Sequence, residues 1–334
     1  MRIAVFAPDP VEGVPSLVAE TLRAAGHSVR VSNGNVFSGR KIGDSRTEAV
    51  FVAGARGPYE ALVRAAKNDL IPCFILDLSP IRHGDWFQLA ESALNNFPEN
   101  GKPDRLGLSK MIKPISPPPQ PDGPLLFLGQ KPGDAQHGMD DDAVRGYASS
   151  QAHLVHEVLP DLVFYFKHHP RTIKHNPTVP DGFEELPENL RTAPIPAVLR
   201  EIRPRAVVTY NSTGAFDALL GRYPVFCHER AFYAGVAETD ISGVIEPESA
   251  LASLPKLKAL LARMSWGIWG EAELGEGAFT KHIEERVESM LSELVGPKEQ
   301  RQAETDAAIR RHLTSVAKER RRGGSGLLRT VQVR

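Results

Sequence analysis

Residues 206–229, AVVTYNSTGAFDALLGRYPVFCHE, constrain the fold more than any other stretch of the chain. An apolar run, Ala206-Val207-Val208, meets a turn at Tyr210-Asn211-Ser212-Thr213-Gly214. A helix-period run with Phe216, Ala218, Leu219 and Leu220 follows and stops at Gly221, and Val225-Phe226-Cys227 then reads as a second strand. Strand, turn, helix, strand is a βαβ unit, which predicts parallel pairing. Its turn gathers free backbone N–H groups and the positive end of a helix dipole, a combination suited to a phosphate. Upstream, Val163-Phe164-Tyr165-Phe166 reads as a strand that ends in Lys167-His168-His169-Pro170-Arg171. Two strand ends with anion-binding chemistry predict a nucleotide-type site.

The chain has 334 residues, too many for one ordinary core and about right for two domains. Its 40 basic residues are matched by 41 acidic ones, so no global basic field points to nucleic acid. No apolar run reaches the roughly 18 residues of a membrane-spanning helix. Met1 to Ala7 reads as a strand and not as a signal peptide. Cys73 and Cys227 are the only cysteines, both inside apolar runs, which predicts buried thiols in a reducing cytoplasm and excludes a cysteine-built metal site.

In order along the chain, 2–7 reads as a strand, 15–25 as a helix closed by Gly26, and 27–31 as a strand. Strands at 49–53 and 71–77 flank a helix at 58–67, and 85–94 reads as a last short helix. This alternation predicts a parallel sheet for an N-terminal Rossmann-like unit, 1–100. Prolines crowd 101–124, which reads as a linker. A second unit, 125–300, restarts with the strand Leu125-Leu126-Phe127-Leu128, a loop at 130–139 and a helix over 140–158. It continues through the strand 163–167, a helix at 196–202 and the βαβ unit, and is mainly helical after Ser249. The segment around Trp266 and Trp269 is expected to pack back across the linker. In 301–334 nine cations, Arg320, Arg321 and Arg322 among them, face three acids. That tail reads as helical or disordered, with phosphates of nucleic acid or a membrane surface as its possible contacts.

Four pieces in the second unit resemble, in order, the motifs of capsule-polysaccharide glycosyltransferases of the β-Kdo transferase type. Phe127-Leu128-Gly129-Gln130-Lys131-Pro132-Gly133-Asp134 is similar to the family's G-Q-x-x-x-D loop, and Lys167-His168-His169-Pro170 to Lys-x-His-Pro. Asn211 to Leu219 resembles its S-x-x-G-F-E-A-L turn, and Phe232-Tyr233-Ala234-Gly235 with Glu238-Thr239-Asp240 its P-F-Y-A-G-x-G-L-T-D segment. Val236-Ala237-Glu238 and Cys227-His228-Glu229-Arg230 depart from the pattern where donor base and sugar should be read. The resemblance implies a GT-B-like α/β fold, two Rossmann-like domains with parallel sheets facing a cleft, the donor on the C-terminal half and the acceptor on the N-terminal half.

Sugar transfer from a nucleotide develops negative charge on the leaving phosphate and positive charge at the anomeric carbon. Lys167, His169, Asn211, Ser212, Thr213 and Gly214 are the expected phosphate partners, and Glu229 and Tyr233 the candidate ribose or base contacts. Asp134 is the expected catalytic carboxylate, as base or nucleophile, with Gln130 orienting it or the sugar. Asp134 also suits a turn, and Ser212 an N-cap. His137 with Asp140, Asp141 and Asp142 reads as a helix start and not as a metal site. No DxD pair follows an apolar strand, so metal-independent transfer is expected, with a CMP- or UDP-linked sugar as co-substrate and no bound cofactor. The favoured acceptor is a bacterial surface glycan or a lipid-linked precursor. The alternatives are transfer to hydroxymethylated pyrimidines in DNA, a nucleotide-sugar epimerase of the same fold, and a non-catalytic nucleotide-sugar binder.

Overall fold

The computed structural model describes residues 1–8, 13–33, 47–54, 58–81, 86–91, 96–97, 103–134, 137–173 and 177–293. The basic tail, with Arg320, Arg321 and Arg322, lies outside the described residues. Two sheets organise the rest. In the first, β1 (Arg2–Ala7), β2 (Ser28–Asn33), β3 (Ala49–Ala53) and β4 (Cys73–Leu78) are mutually parallel in the order β4-β3-β1-β2. Helices α1 (Gly13–Ala24) and α2 (Pro58–Asn68) connect them. The strands alternate their side chains between two buried layers. Ile3, Val5, Phe51 and Phe74 pack with α1, whereas Ala4, Phe6, Val50 and Val52 pack with Tyr59 and Leu62 of α2.

The short helix expected at 85–94 is instead a strand, β5 (Trp86–Glu91), antiparallel to β4. The sheet is therefore parallel over β1 to β4 only. Gln88-Leu89-Ala90-Glu91 has good helix formers, but local propensity yields to strand pairing, with β4 on one edge and with a partner far away in sequence on the other. That partner is a strand formed by Ile268–Gly270, which pairs antiparallel with β5. Phe87 and Leu89 enter the first core beside Trp269.

The second sheet is parallel throughout, in the order β10-β9-β6-β7-β8. Its members are β6 (Leu125–Leu128), β7 (Phe164–Lys167), β8 (Glu184–Glu185), β9 (Ala206–Thr209) and β10 (Val225–Cys227). One face, with Phe127, Phe164, Val208 and Phe226, packs on α3 (Asp141–Val158) through Ala148, Ala152 and Val155. The other, with Leu126, Leu128 and Val207, packs on α5 (Ile195–Ile202) and α6 (Thr213–Leu220), which α4 (Glu188–Arg191) precedes. Small residues on α3 let the helix approach the sheet closely.

The chain then returns to its first half. Helix α7 (Leu254–Gly267) leads into β11 (Ile268–Gly270), and a helical segment over 278–293 places Phe279, Ile283 and Val287 in the first core. Residues 268–293, assigned from sequence to the second unit, thus belong with the first. Arg105, at the start of the linker, holds the crossing: its guanidinium donates to the carbonyls of Ser265 and Ile268 and to Glu273, and lies 3.9 Å from the Trp269 ring. The linker is packed rather than loose. Its Ile115 N–H donates to the Gly221 carbonyl at 3.0 Å, and a Cβ on Gly221 would stand 2.5 Å from Ile115 Cδ1. Both cysteines are buried, and burial pushes each thiol up to about 12. Among the described residues no helix is long and apolar enough to cross a membrane.

Candidate functional site

Parallel strands bring their carboxyl ends to one edge. In the second sheet Leu128 is in register with both Lys167 and Thr209, and Thr209 with Cys227. The loops that leave these four positions carry nearly every residue singled out from sequence. A cavity of about 470 Å³ opens at this edge, on the side of α5 and α6. Lys167, His168, His169, Ser212, Thr213 and Gly214 line it from the second unit, and Pro80, Ile81 and Met111 from the first unit and the linker. The crevice beyond the strand ends of an open α/β sheet is where such folds bind ligands.

The turn after β9 behaves as its sequence requires. Ser212 is the N-cap of α6, its hydroxyl accepting from the Gly214 N–H at 3.2 Å. Glycine is required at 214 by the close approach of α5: a Cβ there would stand 3.0 Å from Ile195 Cγ1 and 3.4 Å from Leu128 Cδ1. His169 turns its own loop, with Nδ1 accepting from the Arg171 N–H at 3.2 Å and its carbonyl taking the Thr172 hydroxyl at 2.8 Å. His168, absent from the expected set, lines the same cavity. Burial lowers its pKa, so its imidazole is neutral at pH 7.

Thr209 is the organiser that sequence reasoning missed. Fully buried, its hydroxyl donates to the Leu128 carbonyl at 2.9 Å, accepts from Gln130 Nε2 at 2.8 Å and faces the Ser212 N–H at 3.3 Å. One side chain therefore ties the ends of β6 and β9 to the start of α6. A polar residue closing an otherwise apolar strand was the available signal. Gln130 is held by this network and by the Leu128 carbonyl at 3.2 Å, and it lines a small neighbouring cavity of about 40 Å³ with His168 and His169.

Other expected residues fall elsewhere. Tyr233 is fully buried, and its hydroxyl donates to the Ser212 carbonyl at 2.7 Å. It supports the turn from behind and has no surface for a ribose or base. Asn211 is buried at 5% exposure. Asp134 does not line the large cavity. It sits in a turn whose backbone carbonyl accepts from the His137 and Gly138 N–H groups at 3.2 and 2.8 Å. The Lys167 ammonium is engaged with backbone carbonyls of α4, at 2.8 and 3.2 Å.

Glu229 lines a second cavity, of about 320 Å³, on the α3 side of the same strand ends, with Tyr147, Gln151, Thr209, His228 and Asp240. His228 stacks on Tyr210 at 4.3 Å, and Tyr147 meets both rings edge-on. This aromatic wall also escaped the sequence analysis, since Tyr147 lies far upstream in α3. Of the expected donor contacts, Lys167, His169, Ser212, Thr213 and Gly214 thus line one cavity and Glu229 the other, on opposite faces of the sheet, while Asn211 and Tyr233 line neither.

No protein-family model matches the chain, and no curated protein matches it. Among solved structures, the chain is similar to KpsC, the β-Kdo 2,4 transferase of Thermosulfurimonas dismutans, with 16% identity and a TM-score of 0.50. That match covers 79% of this chain and 90% of the other. A second match, to the KpsC β-Kdo 2,7 transferase of the same organism, has 14% identity, covers 78% and 90% of the two chains, and has a TM-score of 0.41. At such identity the first likeness is one of fold, and it agrees with the sheets and the shared cleft: the protein has a GT-B-type α/β fold.

Proposed function

We propose that this protein is a metal-independent glycosyltransferase that moves a sugar from a nucleotide-activated donor to a bacterial surface glycan or its lipid-linked precursor. The observation that carries the reading is the 470 Å³ cavity, which joins the N-terminus of α6 and the His168-His169 loop to Pro80 and Ile81 of the first unit. A leaving phosphate at the first turn of α6 meets the positive end of the helix dipole and the hydroxyls of Ser212 and Thr213, with the Gly214 N–H, now capped by Ser212 at 3.2 Å, free to turn to it when that hydroxyl does. His169 adds a donor from β7. The opposite wall belongs to the first unit, so an acceptor entering from that side meets the anomeric carbon without crossing the phosphate.

Departure of the nucleotide leaves negative charge on the phosphate, which these groups stabilise more strongly in the transition state than in the ground state. Asp134, which lies outside the large cavity, is assigned on the motif resemblance as the carboxylate that takes the acceptor proton or traps the sugar, a role that requires its turn to move toward the donor. CMP- and UDP-linked sugars are the donors of choice. The motif resemblance supports this reading, as does the fold shared with a transferase.

The test is a thermal-shift screen of CMP, UDP, GDP and their sugars on the full chain with EDTA present. A ligand at about 100 times its Kd stabilises by roughly 2.7 kcal/mol. At least one nucleotide is expected to raise the melting point, and an Asp134→Asn variant to bind it while losing transfer. If no nucleotide shifts the protein at saturating concentration, the donor site is not where we place it.

A further inference from the structure

Lys167 ends β7 on the cavity wall, yet its ammonium is withdrawn from solvent. The residue is 5% exposed, and Nζ donates to the carbonyls of Arg191 at 2.8 Å and Leu190 at 3.2 Å. These belong to the end of α4, where the Leu190 carbonyl also accepts from the Ala193 N–H at 3.2 Å and the Arg191 carbonyl takes the shorter bond from the ammonium. Arg191 is further tied to Glu185 of the edge strand β8. Immediately beyond, Thr192, Ala193 and Pro194 run along the cavity into α5, and its first residue, Ile195, presses on Gly214 at the start of α6. The lysine and the glycine contact bracket one short stretch of wall.

We propose that Lys167 is a positioning residue: through the Leu190 and Arg191 carbonyls it holds the 190–195 wall so that Ile195 closes on Gly214 and sets the width of the cavity at the N-terminus of α6. The part of this that concerns the cavity's ligand rests on the donor reading above. Contact with the phosphate then falls to His169, Ser212 and Thr213. A lysine that swung into the cavity would give up its 2.8 Å bond to the Arg191 carbonyl, while the Leu190 carbonyl would keep the Ala193 N–H, and its burial already lowers its pKa to about 8, the mark of a desolvated ammonium. Gly214 fits the same assignment, because any side chain there would push Ile195 outward and undo the closure.

Hydrogen exchange on the full chain without ligand tests the inference, comparing wild type with Lys167→Met and Lys167→Arg. In the methionine variant the backbone amides of 190–198 are expected to exchange about tenfold faster, while β6 and β9 keep their rates, and arginine, which retains charged donors, restores most of the protection. A lysine that only contacts ligand leaves the ligand-free exchange of 190–198 unchanged, and that result overturns the inference. Uniform acceleration across the second sheet overturns it too, since it marks a merely structural residue. In a second arm, calorimetry with CMP and with UDP reads affinity. Whichever binds wild type is expected to bind the methionine variant about tenfold more weakly and the arginine variant nearly normally. Equal loss in both variants counts against positioning. If neither nucleotide binds wild type, the donor reading fails while the exchange arm still decides the role of Lys167. Should the methionine variant not fold, Lys167→Gln takes its place in both arms.

Discussion

Replacing Thr209 by valine keeps the shape of a fully buried side chain and removes one hydroxyl. Three partners feel the loss. The Leu128 carbonyl keeps Gln130 Nε2 at 3.2 Å, so it is not stranded. Gln130 loses its 2.8 Å acceptor but lies beside a cavity where water can replace it. The Ser212 N–H, already long at 3.3 Å, loses its only side-chain partner at the start of α6. One net hydrogen bond at about 1 kcal/mol and one partly unsatisfied N–H at about 1 kcal/mol sum to roughly 2 kcal/mol. Urea unfolding should be followed by far-UV circular dichroism. The three tryptophans, Trp86, Trp266 and Trp269, lie in or beside the first sheet, and Trp86 packs also against the core that the second unit shares, so their fluorescence does not follow the second unit alone. Faster exchange at the first turn of α6 should accompany the loss, together with a smaller nucleotide-induced thermal shift. A change below about 0.5 kcal/mol with unaltered exchange would refute the claim that this hydroxyl organises the strand ends.

Three further outcomes are expected. Gly129→Ala places a Cβ 2.7 Å from Phe166 Cζ and 3.2 Å from the Lys167 carbonyl, so it should destabilise the second unit by about 1–3 kcal/mol, read by urea midpoint; a neutral result would mean the β6–β7 edge yields more than its packing indicates. Arg286→Met should cost about 2–4 kcal/mol, because it leaves the Glu91 carboxylate, now held by two bonds of 2.6 and 2.7 Å, uncompensated on β5; Glu91→Gln combined with it should recover part of the loss, and strict additivity in that double-mutant cycle would deny the coupling. The last concerns pH. Folding lowers the Lys167 pKa to about 8, whereas the unfolded chain holds that proton to about 10.5, so between those values the unfolded state binds more protons and stability rises with pH. Below about 8 both states are protonated and the contribution is flat; Lys167→Met should lack the rise, which urea midpoints at about pH 7.5, 9 and 10 would detect.

What the sequence makes legible here is whatever is local. The βαβ unit of 206–229 needs only a β-branched run, a hydroxyl-rich turn and a helix-period stretch, and the structure has β9, α6 and β10 where those signals lie. Ser212 and Gly214 follow from the same turn chemistry. The failures share a different cause. Trp86–Glu91 became a strand because it folds back antiparallel on β4 and takes Ile268–Gly270 on its other edge, and its helix-forming composition encodes neither pairing, the second least of all because that partner is so distant in the chain. Tyr233 looked like a ligand contact because it sits in a motif, but a tyrosine is as readily used to brace a turn through its hydroxyl as to face solvent. Thr209 was passed over because the apolar run hid it, though burying a hydroxyl demands partners and those partners are the site's own loops.

Lys167 joins both lessons. A lysine after an apolar strand, two residues before a histidine-proline pair, reads as a phosphate ligand when charge alone is weighed. Weighing its surroundings changes the role, because the short helix α4 ends beside β7 with the Arg191 carbonyl turned to this ammonium at 2.8 Å and the Leu190 carbonyl sharing it with the Ala193 N–H. On the donor reading, the cation is then a constraint on wall shape, and a phosphate is met by the N-terminus of α6, the Ser212 and Thr213 hydroxyls and His169. A site built this way discriminates by width at Ile195 and Gly214 more than by net charge. Substitutions along 190–195 should therefore alter which ligand is accepted before they alter whether any phosphate binds.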